Sequence, residues 1–260
     1  MQQGYDLMVA PTGARLQKTD HPAVPLLPQE ILETAISCAK EGATAIHAHV
    51  RDQEGVHSID ADRYNSLANQ ISKKTDLHIQ VSTESAGFFG VAAQRQCLAN
   101  VKTRDVSVSV REINREPDQV RDFYDLAVRR GISIQHILYD ANDLALLQSL
   151  YEDGGIPTSL NRAIFVLGRY SSDMQSAPSD LDPFLQAGGN VDLVWSVCAF
   201  GRQEHNCLLA ALDNGGHVRI GFENSFTRPD GTIHPDNAAS VAMFVEAAQK
   251  KGFGPRNVAP

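Results

Sequence analysis

Two histidines one residue apart, His47 and His49, are the residues of this chain best placed for chemistry. In an extended strand, side chains at i and i+2 share a face. Both imidazoles then point the same way, and a ring nitrogen from each can meet one ion at about 2.0–2.1 Å. An H-x-H pair alone is not specific, because many such pairs are core or surface histidines. A carboxylate far along the chain adds to it: Glu223 lies just past a strand and has the same inward parity. Two imidazoles and one carboxylate, with positions left open, suit a catalytic divalent metal. The donor types favour zinc, with iron, manganese and cobalt as rivals.

These residues need elements to position them. Short β-branched runs alternate with stretches of helical period. Strands are predicted over 5–10, 44–50, 77–83, 104–110, 132–139, 162–168, 191–198 and 216–221. Helices follow them near 28–41, 60–74, 91–100, 117–130, 141–152, 178–187, 203–213 and 237–251. Pro28 and Pro117 mark helix starts, and Gly42 and Gly131 mark helix ends. Such alternation implies parallel pairing through right-handed crossovers. The predicted fold is a single-domain (β/α)8 TIM barrel over residues 1–260. An open doubly wound sheet is the alternative, but Pro11-Thr12-Gly13-Ala14 lacks the glycine spacing it usually carries after the first strand.

Parity along the strands separates two faces. Ile46, Ala48 and Val50, then Ile79 and Val81, then Val106, Val108 and Val110, then Val218 and Ile220 form the helix-facing set. Ala45, His47, His49, Gln80, Ser82, Glu84, Ser107, Ser109, Arg111, His217 and Arg219 are left pointing inward. A purely structural barrel interior is filled by branched apolar residues, whereas catalytic groups come from the C-terminal strand ends. The polar excess there is the functional signal. Arg51 reads first as a salt bridge tying the strand end to its neighbour, with a loop anchor as the alternative. Trp195 reads as helix-facing packing, Cys198 as a small pocket wall, and His217 as a hydrogen-bonded interior group. His21, His57, His205 and His234 fall in expected loops or helix starts; any could line a loop-built pocket, but exposure is the default. Gly168 could admit a phosphate or pantetheine chain, and Arg169 could meet a CoA phosphate or simply lie at the surface.

The net charge of −8 argues against a nucleic-acid partner. No apolar run is long enough to cross a membrane, and the start shows no signal-peptide pattern. Four cysteines without a C-x-x-C pair fit a reducing cytoplasm.

The run HPAVPLLPQEILETAISCAKEGATAIHAHVRDQEGVHS and the later WSVCAFGRQEHNCLLAALDNGGHVRIGFEN resemble the β-keto acid cleavage enzymes, as do the PTGAR start and the VLG at 166–168. That resemblance implies a homo-oligomeric, often tetrameric, zinc-binding TIM barrel. Its metal ligands match His47, His49 and Glu223. It also implies condensation of a β-keto acid with acetyl-CoA, giving acetoacetate and a new acyl-CoA. Arg219 matches the arginine that orients the acid–base group and the substrate. Ser107 and either Ser82 or Thr83 match substrate-contacting hydroxyls, and the parity of Ser109 adds it to that wall.

Three positions depart from the family pattern. Asn224 stands where the family has an aspartate general base. Ile134-Gln135-His136-Ile137 replaces a glutamate-bearing run. Arg15 replaces a position that is often acidic, which points to an anionic substrate tail. A metal-bound hydroxide could then replace the missing base, and Glu84, inward at the end of its strand, is another candidate. The alternatives are a metal-dependent hydrolase or aldolase that uses no CoA, and a non-catalytic metal or metabolite binder.

Overall fold

The alternation closes into a barrel in the computed structural model, which describes residues 2–187 and 191–256. The barrel strands are β1 (Leu7–Val9), β2 (Ala45–Ala48), β3 (His78–Ser82) and β4 (Asp105–Ser109). They continue as β5 (Ser133–Leu138), β6 (Arg162–Leu167), β7 (Val194–Ala199) and β8 (His217–Ile220). Each pairs in parallel with its neighbour in chain order, and β8 closes on β1. The main helices between and after them are Pro28–Lys40, Ala61–Ser72, Val91–Asn100 and Pro117–Arg129, then Ala141–Glu152, Asp182–Ala187, Glu204–Asp213 and Asn237–Lys250. Among the described residues no helix is long and apolar enough to cross a membrane.

Local chemistry sets the helix ends. Pro28 and Pro117 occupy first-turn positions, where a missing N–H costs nothing. Asp60, Asp140 and Asp236 cap three helices by accepting backbone N–H bonds. Gly42 (φ +103°) and Gly131 (φ +62°) follow helix C-caps in the left-handed region.

The helix-facing parity set packs in one hydrophobic layer. Ile46, Ala48, Val50, Val81, Val106, Val108, Val110, Val218 and Ile220 are all buried there, with Ile79 packed against them. Burying a side chain of this size contributes about 1.5–3 kcal/mol. A second apolar cluster lies inside the barrel, where Ile137, Ile164, Val166, Cys198 and Phe200 line one wall. Trp195 faces the helix layer and stacks on Phe165 at 5.3 Å.

Several expectations need correction. The first predicted strand is split: Tyr5 belongs to Gln3–Tyr5, which pairs with Phe253–Pro255 outside the barrel. The second is interrupted at His49, and Val50–Arg51 turns out to pair with His57–Ser58. Val110 begins a one-turn helix, Val110–Ile113, so Arg111 leaves the interior. Its guanidinium reaches Asp140 and Asp143, each at 2.7 Å. His21, His57, His205 and His234 are buried, not exposed. Rings cover them: His21 packs on Phe222 at 4.7 Å, and His205 on His234 at 5.4 Å. Polarity alone misplaces an imidazole, which is half apolar ring.

The His205–His234 pair has a pH consequence. Burial holds both near pKa 4, with the neighbouring imidazole also opposing charge on His205 and Arg228 opposing it on His234. Asp230 and Asp236 only partly offset this at His234. Between about pH 6.5 and pH 4 the unfolded chain binds protons that the folded pair does not, so stability falls as pH falls through that window. The urea midpoint of metal-free protein is expected to be lower at about pH 5 than at about pH 7, and the drop should shrink in a His205→Gln/His234→Gln variant.

Candidate metal centre and active-site pocket

His47 and His49 sit at the C-terminal end of β2, facing into the barrel and almost fully buried. Their Nε2 atoms lie 3.1 Å apart. Glu223 Oε2 lies 3.7 Å from each of them. No other residue joins these three as a cluster of potential metal ligands among the described residues. Ligands of a four-coordinate metal with bonds near 2.0–2.2 Å stand about 3.3 Å from one another. Observed separations bracket that value. Glu223 Oε2 is buried and has no hydrogen-bond partner, an unfilled need that a cation meets. Burial pushes His47 down to about pKa 4, and it pushes His49 well below the ordinary histidine range, with His47 and His57 adding repulsion. Neutral imidazoles are the form that binds metal. The donor set fits a divalent ion.

The segment after β8 is built to place Glu223. Glu223 N–H donates to Ala10 O at 3.1 Å, and Phe222 N–H donates to Asn237 Oδ1 at 2.9 Å. Gly221 N–H donates to Glu204, whose burial raises its carboxyl well above the usual range. Arg219 Nη2 contacts the other oxygen, Glu223 Oε1, at 3.4 Å and Cys198 Sγ at 3.2 Å. Arg51 serves as the loop anchor: it donates to the carbonyls of Gly13, Ala14 and Leu16 and has no ion-pair partner among the described residues. It holds the PTGAR loop against Glu223.

A cavity of about 580 Å³ opens at this end of the barrel. It is lined by His47, Ser82, Glu84, Arg219, Glu223 and Asn224, with Arg15 and Arg169 toward the loops. Glu84 Oε2 stands 4.0 Å from His49 Nε2. Burial raises Glu84 to about pKa 7, the Glu223 and Glu112 carboxylates add to the rise, and Arg169 and Arg15 oppose it. Both polar atoms of the Asn224 amide are buried without a partner.

Not every expected residue reaches the cavity. Of Ser82 and Thr83, Ser82 faces it, whereas the Thr83 hydroxyl donates to Ser107 O at 2.9 Å, the carbonyl that its own N–H also reaches at 3.3 Å. Ser107 and Ser109 are buried in the barrel with unpartnered hydroxyls, outside the cavity lining. Gly168 (φ +78°) is a turn glycine: a Cβ there would lie 2.7 Å from Gln175 O, so its smallness serves loop packing. Arg169 does line the cavity, and its guanidinium lies over the Phe200 ring at 5.2 Å. Reading by parity passed over Tyr139, although it shares parity with Gln135 and Ile137. His57, expected to be exposed, instead packs against His49 at 5.2 Å and holds Glu84 O through Nε2 at 2.8 Å. The HS of the HVRDxxGxHS run was its signal.

A closed barrel with polar and ionisable groups gathered at its C-terminal mouth defines an enzyme of the TIM-barrel class. The chain belongs to the beta-keto acid cleavage enzyme family, which matches it over residues 7–259. It is 26% identical to the 3-keto-5-aminohexanoate cleavage enzyme of Fusobacterium nucleatum, across 97% of this chain and 94% of that one. It is equally similar, at 26%, to the 3-oxoadipate:acetyl-CoA acetyltransferase of Cupriavidus necator, across 97% and 91%. Among solved structures, the complex of ObcA with oxaloacetate superposes with a TM-score of 0.74 at 18% identity. That match covers 92% of this chain but only 66% of ObcA, so the likeness is one of fold.

Gly13 gives a test of the positioning loop. A Cβ at Gly13 (φ +66°) would lie 2.6 Å from Glu223 Cγ. Gly13→Ala is expected to displace the carboxylate and weaken zinc binding by roughly tenfold or more while the protein still unfolds cooperatively. Competition with a chromophoric chelator, alongside urea unfolding, reads both.

Proposed function

We propose that the protein condenses a β-keto acid with acetyl-CoA, giving acetoacetate and a new acyl-CoA, with a divalent metal, zinc, held by His47, His49 and Glu223. The observation that carries this reading is the convergence of those three donors at one end of the cavity, with Arg219 on the outer oxygen of Glu223. Relatives named as acetyl-CoA-dependent transferases of 3-oxoadipate and 3-dehydrocarnitine support the co-substrate. When bound, the metal supplies Lewis-acid polarisation of the keto acid's oxygen atoms.

The chain's own residues do the rest. Arg219 is a fixed positive charge where negative charge develops on the substrate. Asn224 offers its unpartnered amide to orient the keto acid, and Ser82 offers a hydroxyl. Glu84 is the carboxylate placed to take and return a proton, because Glu223 is engaged with Arg219 and the histidines. Arg15 and Arg169 line the cavity without an ion-pair partner among the described residues. Arg15 is assigned to an anionic tail of the keto acid and Arg169 to a phosphate of CoA. A cytoplasmic homo-tetramer completes the reading, in keeping with four buried free cysteines.

Three measurements test this. Elemental analysis is expected to find about one zinc per chain, and almost none in a His47→Ala/His49→Ala variant. In a coupled assay, keto acid turnover should require acetyl-CoA; turnover without it would favour a hydrolase or aldolase. Third, Glu84→Gln is expected to lower kcat by about 10²–10⁴ while retaining zinc. Unchanged kcat in that variant would remove Glu84 from the proton-handling role.

A further inference from the structure

The interior of the barrel below the metal ligands carries a row of polar side chains that the proposed reaction does not use. His47 and Gln80 are register partners on β2 and β3, and Gln80 and Asp105 are register partners on β3 and β4. Gln80 Oε1 lies 2.7 Å from His47 Nδ1. Gln80 Nε2 lies 3.1 Å from Asp105 Oδ1 and 3.1 Å from Gln135 Oε1. Gln135 Nε2 reaches Ser196 Oγ at 3.0 Å. The second oxygen of Asp105 takes Arg162 Nη1 at 2.6 Å.

We propose that Gln80 is a positioning residue that fixes the tautomer of His47, and that the Asp105–Arg162 ion pair fixes the amide of Gln80. The inference rests on the metal site of the preceding section, and it follows from donor and acceptor counts. A primary amide has two hydrogens on nitrogen and an acceptor on oxygen. An ionised carboxylate only accepts, and Arg162 keeps Asp105 paired. The nitrogen of Gln80 therefore faces Asp105, and its second hydrogen goes to Gln135. The flipped amide would oppose two acceptors across 3.1 Å. Gln80 oxygen is left facing His47 Nδ1, so that nitrogen carries the proton. The lone pair is then on His47 Nε2, the atom that lies 3.1 Å from His49 and 3.7 Å from Glu223.

His49 has no such device, because its Nδ1 is buried without a partner. The two imidazoles are therefore unlike: Gln80 presets His47, whereas no side chain holds His49 Nδ1, and His49 Nε2 faces the His47 lone pair at 3.1 Å, to which it can donate in the metal-free protein. Asp105, Gln135, Arg162 and Ser196 also line a separate cavity of about 310 Å³ at the opposite mouth. A metal ligand at the catalytic end is thus held through an ion pair at the end that usually serves stability alone.

Nitrogen-15 NMR of histidine-labelled, metal-free protein at neutral pH reads the tautomer directly, with the His47 signal identified by its loss in His47→Ala. The expected result is a fixed Nδ1–H form in the parent, lost in Gln80→Leu. Zinc affinity by chelator competition should fall about 10- to 100-fold in Gln80→Leu. Gln80→Glu alone sets a carboxylate against Asp105 and should also weaken zinc. Adding Asp105→Asn should rescue it to within a few-fold of the parent. The new carboxylate still accepts from His47 and takes the new amide hydrogens, while Gln135 and Ser196 rotate. Rescue distinguishes positioning from a general packing role, and it carries the test if Gln80→Leu fails to fold. A His47 that carries its proton on Nε2, parent-like zinc affinity in folded Gln80→Leu, or a double variant no better than the singles would overturn the proposal. Failure of the parent to bind zinc would sink the metal reading instead, and the tautomer in metal-free protein would still decide the relay.

Discussion

The constraint on which this structure turns is the division of Glu223 between two partners. One oxygen meets Arg219 and the other faces His47 and His49. A buried carboxylate without compensation is costly, and an unpaired buried guanidinium is too. Arg219 and Glu223 lie four residues apart on a strand end and the turn beyond it, so each meets the other's need only if that turn is held. Three different elements hold it: Ala10 at the end of β1, Asn237 at the start of the last helix, and Glu204 at the start of the one before. The closed barrel supplies the rest, because only closure brings β8 beside β1 and within one strand of β2.

The barrel interior is unusual in its division into two walls. Ile137, Ile164, Val166, Cys198 and Phe200 form a dry wall on β5 to β7. His47, Gln80, Asp105 and Gln135 form a polar network from β2 to β5. Such a network is tolerable inside a protein only when its members are satisfied. Its members below His47 are satisfied, and the unfilled positions at the catalytic end include Glu223 Oε2, His49 Nδ1 and the Asn224 amide. Stability and function therefore occupy different depths of the same interior. The helix-facing layer of branched side chains is free to stabilise the fold without either role.

Much of this was legible in the sequence, for a physical reason. Strand parity is strict, so the apolar series Ile46, Ala48, Val50 forced His47 and His49 inward. Eight repeats of strand and helix closed the barrel, and closure put Glu223 opposite the histidines. Legibility failed wherever the chain left its period. Val110 begins a helical turn, which carried Arg111 out to Asp140 and Asp143. Ser82 and Thr83 differ by one residue and so by a whole face, and strand-end register decided between them. The histidines His57, His205 and His234 lie in or beside irregular segments, where burial depends on which ring happens to pack above. Gly168 was read as an opening for a ligand, but its neighbour proved to be Gln175 of its own loop.

The departures from the family pattern make sense together when placed on the two walls. The resemblance implies a carboxylate beside Glu223 and glutamates on the fifth strand; Asn224 stands at the first place, and Gln135 and Ile137 on β5, with Tyr139 just past it, stand at the second. Ile137 belongs to the dry wall, where a carboxylate would have the apolar side chains of β6 and β7 beside it. An uncharged residue at that place keeps the wall apolar. Four carboxylates still line the cavity. Asp20 and Asp173 are on exposed loops and accept backbone N–H bonds from Gln17 and Gln175. Glu223 is committed to Arg219 and the histidines. Glu84 alone stands on the charged wall without a cation in contact, its backbone clamped by His57. On the proposed reading, the missing base and the altered strand 5 are one change: proton handling is concentrated on β3, and β5 is released to shape the space for the substrate.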